Sequence, residues 1–291
     1  MNTILETIAA FDGTLLRVGR FEPDTAPLGV IQVIHGFGEH IGRYESTAQF
    51  FADRGYCFVV HEQRGFGIMP GKTKREREKA RGITPGYAAF FPDIQLVREN
   101  IAHWYPDLPV FLYGHSMGGN IAVNLFLRFP EAEEAYEKLI LEAPWFRLYR
   151  PLSPFMHGLA LFLGKISPKL TTSGNLRTDD ISRDKEDMGN LLKDEIFHNT
   201  MSLRLYGEIA EAGERAIQEA AKLPLPTLLL NAGEDKIVSP RAIREFSENA
   251  ASHVELVEYP EGYHCLHCDV IKDQVLDRIL TFCNMERACI K

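Results

Sequence analysis

The chain has 291 residues, 45% hydrophobic and 25% charged, with a formal net charge of −8. Those proportions are those of an ordinary globular protein, long enough for one large α/β domain or two smaller ones. The negative balance argues against a general affinity for nucleic acid, and no apolar run reaches the ~20 residues of a membrane-spanning helix.

The first elements read as a hairpin, Ile4 to Ala10 and Thr14 to Val18 about an Asp12-Gly13 turn. Gly29 to Ile34 is almost continuously apolar, which suits a strand buried on both faces of a parallel sheet. His35-Gly36-Phe37-Gly38-Glu39-His40 follows, then a helix to about Arg54 stopped by Gly55, and a strand from Tyr56 to His61. A helix from about Phe91 to Tyr105 precedes Val110-Phe111-Leu112-Tyr113, which runs into Gly114-His115-Ser116-Met117-Gly118 and an amphipathic segment, Ile121 to Arg128. Lys138 to Glu142 is the next strand. From Ala143 to about Tyr206 the rhythm breaks: four prolines, no strand pattern, an apolar block from Phe155 to Leu163 and a short helix over Lys185 to Leu192. Alternation returns with a helix over Ile209 to Lys222, strand Thr227 to Asn231, helix Arg241 to Ala250, strand Val254 to Tyr259 and helix Val270 to Cys283. The pattern predicts an α/β fold with a doubly wound, mostly parallel sheet and an inserted helical cap. The expected division is core over 1–144, cap over 145–206 and core again over 207–291.

Strand, sharp turn and helix around G-x-S-x-G place Ser116 at the apex of a strained elbow, with glycines where side chains would collide. A serine hydroxyl is a weak nucleophile, so it needs a histidine base and the base needs an orienting acid, in the chain order Ser, Asp or Glu, His. Asp235, just past the Thr227 strand, and His264, just past the last strand, fit that order; Glu234 is the rival acid and His267 the rival base. His115 points away from the serine by alternation, and His253 precedes its strand. The backbone N–H groups of Met117 and Phe37 sit where an oxyanion hole requires them.

Taken together, H-G-F-G-E-H-x-G-R-Y, G-H-S-M-G-G, G-E-D-x-I-V-S-P and G-Y-H resemble the monoacylglycerol lipase and lysophospholipase group of serine α/β-hydrolases. The resemblance runs from about Ile31 to the C-terminus and includes Ser182-Arg183-Asp184 and Asp194. It implies the α/β-hydrolase fold, Ser116, Asp235 and His264 as nucleophile, acid and base, and Phe37 and Met117 as oxyanion donors. Monoacylglycerols or lysophospholipids are the substrates it implies, with no cofactor. Where the group has D-x-R-G-H-G-x-S, this chain has Glu62-Gln63-Arg64-Gly65-Phe66-Gly67-Ile68-Met69, so a polar histidine and serine give way to apolar groups. The charged run Lys72 to Arg81 reads as a solvated face, or else as a patch steering anionic headgroups or a membrane surface.

Cys265-x-x-Cys268 beside His264 invites a metal reading, but one such pair without a second is weak, and no metal is expected. On a cap, the apolar block suggests an acyl-chain channel lined by Phe155, Leu159 and Phe162. Five scattered cysteines read as reduced thiols, and Met1 to Ala10 lacks the basic start of a secretory leader, so the expected setting is the cytoplasm. The expected activity is ester hydrolysis through an acyl-enzyme. An amide or peptide hydrolase on the same fold is the second reading, with Glu186, Asp187, Asp194 and Glu195 as the carboxylates a free N-terminus would need. A non-catalytic binding protein is the third.

Overall fold

A computed structural model describes residues 1–174 and 176–285. Strands β1 (Asn2–Ala9) and β2 (Leu15–Glu22) form the hairpin, and β3 (Gly29–Ile34) and β4 (Tyr56–His61) follow, with helix α1 (Glu45–Ala52) between them. Next come α2 (Lys74–Ala80), α3 (Phe90–Trp104), β5 (Val110–His115), α4 (Met117–Arg128) and β6 (Lys138–Glu142). Beyond β6 lie α5 (Pro154–Ile166), β7 (Thr171–Ser173), α6 (Lys185–Leu192), β8 (Thr200–Ser202) and α7 (Leu203–Gln218). The chain then runs through β9 (Thr227–Ala232), α8 (Pro240–Asn249), β10 (Val254–Tyr259) and α9 (Lys272–Asn284).

Eight strands form one sheet in the order β1-β2-β4-β3-β5-β6-β9-β10. Every pairing from β4 through β10 is parallel, and only β2 runs antiparallel to its neighbours β1 and β4. β3, β4, β5, β6 and β9 are buried along their whole length, which is why they read as unbroken apolar runs rather than alternating ones. One face packs on α1 and α9 through Phe51, Val275 and Ile279. The other packs on α3, α4, α7 and α8 through Ile94, Ile121, Ile209 and Phe246. This is the α/β-hydrolase architecture, and it brings the C-terminal ends of β3, β5, β6, β9 and β10 to one edge, where their loops converge.

Two expectations are corrected between β6 and β9. The stretch expected to lack strands contains the antiparallel pair β7 and β8, whose three-residue ladders are too short to show a period of two. Helix α7 starts at Leu203, six residues earlier than its apolar pattern suggests. Ser202 caps that helix by accepting from the Leu205 N–H at 3.3 Å. Gly207, which interrupts the pattern in sequence, is where α5 approaches closely: a Cβ there would lie 2.6 Å from Leu161 Cδ2. No helix among the described residues is long and apolar enough to cross a membrane.

Candidate active site

Ser116 sits between the end of β5 and the start of α4 with φ 52° and ψ −115°, a conformation that L-residues rarely adopt. Its N–H donates to the Glu142 carbonyl at 2.9 Å, and its own carbonyl accepts from Trp145 and Asn120. Neighbouring glycines make the turn possible. A Cβ on Gly118 would overlap the Ile34 carbonyl, and one on Gly114 would lie 2.6 Å from the Gly118 oxygen. The elbow is therefore clamped between two parallel strands, and the serine hydroxyl is pushed clear of the sheet.

The loops after β9 and β10 bring the partners. Ser116 Oγ lies 2.9 Å from His264 Nε2, and His264 Nδ1 lies 2.6 Å from Asp235 Oδ2. All three side chains are buried. Asp235 Oδ1 accepts the N–H groups of Ile237 at 2.7 Å and Val238 at 2.9 Å, which orients the carboxylate. The rival base is engaged elsewhere, and it is Asp235, not Glu234, whose carboxylate reaches His264. His267 Nδ1 bonds Glu142 at 2.9 Å, and the Glu234 N–H donates to Gly262. His253 is tied to the Leu223 carbonyl at 2.7 Å. Such a chain can move a proton from hydroxyl to imidazole while the carboxylate holds the ring's orientation.

The loop after β3 is braced from behind. Glu39 Oε2 accepts the Gly36 N–H at 2.6 Å and the Tyr44 hydroxyl at 2.7 Å. The Gln63 N–H donates to His35 Nε2 at 3.0 Å, leaving Nδ1–H to donate to the Gly36 carbonyl at 2.8 Å. Burial keeps that imidazole neutral by lowering its pKa to about 4. Phe37 and Ser116 both line one cavity. Met117 is the first residue of α4, whose opening N–H groups have no partner within the helix. Phe66, at the position where the resemblance expects histidine, stacks on His198 at 5.2 Å and meets Phe37 edge-on at 5.8 Å.

That cavity, about 790 Å³, is floored by Ser116 and His264 and walled by Trp145, Leu148, Leu163 and Ile237. Helix α5 supplies Met156, Leu159, Ala160 and Leu163, spaced as one helical face. Leu159 is thus where the sequence suggests, but Phe155 and Phe162 are not. They do not line the cavity and are 77% and 59% exposed on an adjoining face of the helix, with Ile166 at 67%. The block is apolar at nearly every position, so only packing reveals which face turns inward.

The model of the family described as Serine aminopeptidase, S33 matches residues 25–270. A monoacylglycerol lipase of Mycolicibacterium smegmatis is 30% identical over 281 residues, 95% of each chain. The chain belongs to this family of serine α/β-hydrolases, in its monoacylglycerol lipase group. It spans only 29% of the length of an abhydrolase domain-containing protein of Dictyostelium discoideum, with 29% identity over 282 residues. A monoglyceride lipase of Saccharomyces cerevisiae, solved with a substrate analog, superposes with a TM-score of 0.84 over 98% of this chain and 96% of its own; at 19% identity that likeness speaks for the fold.

In this serine hydrolase the segment between β6 and β9 is bolted to the site by ion pairs. Arg183 grips Asp269 with Nη2 at 3.1 Å, Arg43 forks onto Asp187 at 2.7 and 3.0 Å, and His40 meets Asp194 at 2.6 Å. Ser182 Oγ donates to the Cys268 carbonyl at 3.0 Å, and Asp184 caps α6. The charged run forms α2, capped by a reciprocal Thr73–Glu76 box, and Lys74 reaches Glu195 at 2.7 Å. Behind the triad lies a polar cluster that spacing could not reveal. Cys265 and His267 meet His115 and Glu142, all buried, with potential ligand atoms within 4.8 Å of one another. Cys268 is not part of this cluster; Cys265 and His267 of one loop are joined there by His115 and Glu142 from the ends of β5 and β6. Glu142 also accepts from the Tyr113 hydroxyl; burial pushes its pKa up, but the charges of His267 and His115 and the hydrogen bonds from His267 and Tyr113 together lower it to about 2.

Proposed function

We propose that this hydrolase cleaves carboxylic esters of single-chain acyl lipids, monoacylglycerols or lysophospholipids, through an acyl-enzyme on Ser116. The observation that carries the reading is the Ser116–His264–Asp235 hydrogen-bonded chain at the floor of an apolar cavity. His264 takes the Ser116 proton as Oγ attacks the ester carbonyl, then gives it to the departing alcohol, then activates water to release the acid. The Phe37 and Met117 N–H groups take the negative charge that builds on the carbonyl oxygen in both steps. No metal or cofactor enters these steps.

The acyl chain lies along Leu159, Met156 and Leu163, and residues 145–206 act as the cap over it. The outward apolar face of α5, with Phe155, Phe162 and Ile166, rests on a lipid surface from which substrate enters, in the way amphipathic helices lie in an interface. The names of the mycobacterial and yeast proteins support the lipid substrate, and four buried free thiols among the described residues support a reducing, cytoplasmic setting. Nucleic acid is not a partner on this reading.

The test is the initial rate on 4-nitrophenyl esters of increasing acyl length, with Ser116→Ala as blank, followed by monoacylglycerol against lysophospholipid. A medium- or long-chain optimum supports the reading. An optimum at acetate moves it to small esters. Absence of Ser116-dependent turnover on every ester overturns it and brings aminoacyl amides forward, the reaction in the family model's description. Against amides stands the pairing of Asp187, Asp194 and Glu195 with Arg43, His40 and Lys74, which leaves those carboxylates engaged.

A further inference from the structure

Two thiols occupy the turn that follows His264. Cys265 precedes the single 3₁₀ turn Leu266–Cys268, and the Cys268 N–H donates to the Cys265 carbonyl at 3.2 Å. A 3₁₀ turn eclipses side chains three residues apart, so the pair stands on one side of the loop. Their surroundings differ. Arg43 Nη2 points at Cys268 Sγ from 3.8 Å, and Arg43 also lines the cavity. Cys265 Sγ faces inward, 3.5 Å from His267 Nε2. Cys268 is 7% exposed whereas Cys265 is fully buried. Interaction with the Cys265 thiol, then the charges of His267 and Arg43, hold the Cys268 thiol below its ordinary range. Burial pushes Cys265 well above it. A thiolate beside a cation, next to a protonated thiol, is the reactive arrangement for cysteine.

We propose that Cys265 and Cys268 are an oxidation-sensitive dithiol, which hydrogen peroxide closes to a disulfide that switches the enzyme off by moving the loop carrying His264. The Cys268 thiolate attacks one peroxide oxygen, the O–O bond breaks, and the sulfenic acid forms with release of hydroxide. The Cys265 sulfur then attacks the sulfenic sulfur, its proton and the departing hydroxyl leave as water, and the S–S bond forms. Both sulfurs are oxidised and one peroxide is reduced to one water and one hydroxide, which takes its proton from solvent.

Closing the bond to about 2.05 Å draws Cys265 Sγ away from His267. Cys265 is peptide-bonded to His264, and on the far side of the turn Asp269 Oδ2 accepts the Tyr263 N–H at 3.0 Å, so the loop cannot absorb the shift without moving the base. A misplacement of about 1 Å at a reacting group costs on the order of a hundredfold in rate, so inhibition of at least about tenfold is expected. The effect on turnover rests on His264 being the base; the thiol chemistry does not.

The experiment treats the reduced full-length protein with stepwise hydrogen peroxide. Intact mass, a peptide map and the rate on 4-nitrophenyl butyrate are followed together. Support is a loss of about 2 Da on the peptide holding both cysteines, loss of rate in step with it, and recovery with dithiothreitol. Cys268→Ser should start near the parent rate and keep it through peroxide, while Cys265→Ala should stop at a sulfenic acid that dimedone traps. No mass loss at this peptide, a disulfide that leaves the rate unchanged, or inhibition that persists in Cys268→Ser overturns the proposal. So does one zinc per chain retained through dialysis, since Cys265 would then be a ligand with His115, Glu142 and His267. If the parent hydrolyses no ester at all, the ester reading fails while the mass change still decides the thiol chemistry.

Discussion

Asp235 divides its two oxygens between its own loop and His264. Oδ1 takes the N–H groups of Ile237 and Val238, and Oδ2 lies 2.6 Å from His264 Nδ1. An asparagine at this position would keep its carbonyl toward the Ile237 and Val238 N–H groups, which can only donate and so need an acceptor, and would turn its NH₂ toward the imidazole. The ring would then carry its proton on Nε2, facing Ser116, and could not accept the serine proton. Asp235→Asn is expected to fold normally and lose roughly 10³- to 10⁴-fold in kcat. Ester kinetics beside a thermal melt check it; full activity in a folded variant would hand the acid role to Glu234.

The two faces of α5 separate chain recognition from surface contact. Leu163→Ala removes cavity-wall methyl groups near the site, at ~0.8 kcal/mol per buried carbon, and should lower kcat/KM on long-chain esters several-fold to tenfold while sparing acetate. Phe155→Ser with Phe162→Ser should leave kinetics on dissolved short esters intact and weaken sedimentation with phosphatidylcholine vesicles. Vesicle binding equal to the parent's would remove the lipid-surface role of that face.

Gly118→Ala tests the clamp on the elbow. The added Cβ would overlap the Ile34 carbonyl, which belongs to a fully buried strand and cannot retreat. Either the protein loses on the order of 1–3 kcal/mol in urea denaturation, as overpacking does, or the elbow shifts and turnover falls at least tenfold. A variant unchanged in both would contradict the close approach of β3 and α4.

Acid should destabilise the fold earlier than carboxylates alone would. Burial lowers His35 and His198 to about 4 and His61 to about 3, from an ordinary 6.5. Between pH 6.5 and 4 the unfolded chain therefore binds protons that the folded one refuses, and stability is lost as pH falls. His115 and His267 are raised, so their contribution is complete below pH 6.5 and does not change in this window. Glu62, pushed up to about 7 by burial, works in the opposite direction and offsets part of the loss. Asp93, also raised by burial, acts in the same direction as Glu62; with three histidines against these two carboxyls, the unfolding free energy should still drop by more than about 2 kcal/mol between pH 6.5 and 4.5. Below that, Glu142 adds its own loss toward pH 2. A urea midpoint that stays level from pH 6.5 to 4.5 would contradict the buried neutral histidines.

Much of this was legible in sequence because the responsible physics is local. β3, β4, β6 and β10 begin and end at the residues the sequence pattern predicts. The glycines around Ser116 mark a turn that no other residue could make. Helix α7 was misjudged at its start because Gly207 breaks a local pattern for the sake of a contact with Leu161, a residue far away along the chain. Phe155 and Phe162 lie off the cavity for a related reason: in a run apolar at nearly every position, periodicity cannot name the inner face.

The sequence by itself determined the chain order of the site's loops, the elbow, and the candidates for base and acid, since chain order and backbone sterics suffice for those. Tertiary structure decided the rest. It separated Asp235 from Glu234 and His264 from His267 by hydrogen bonds across 29 to 148 residues, and tied His267 to Glu142 over 125. It also gathered Cys265, His267, His115 and Glu142 into one buried cluster. Contacts between distant segments depend on how sheet and helices pack, and no local spacing encodes that.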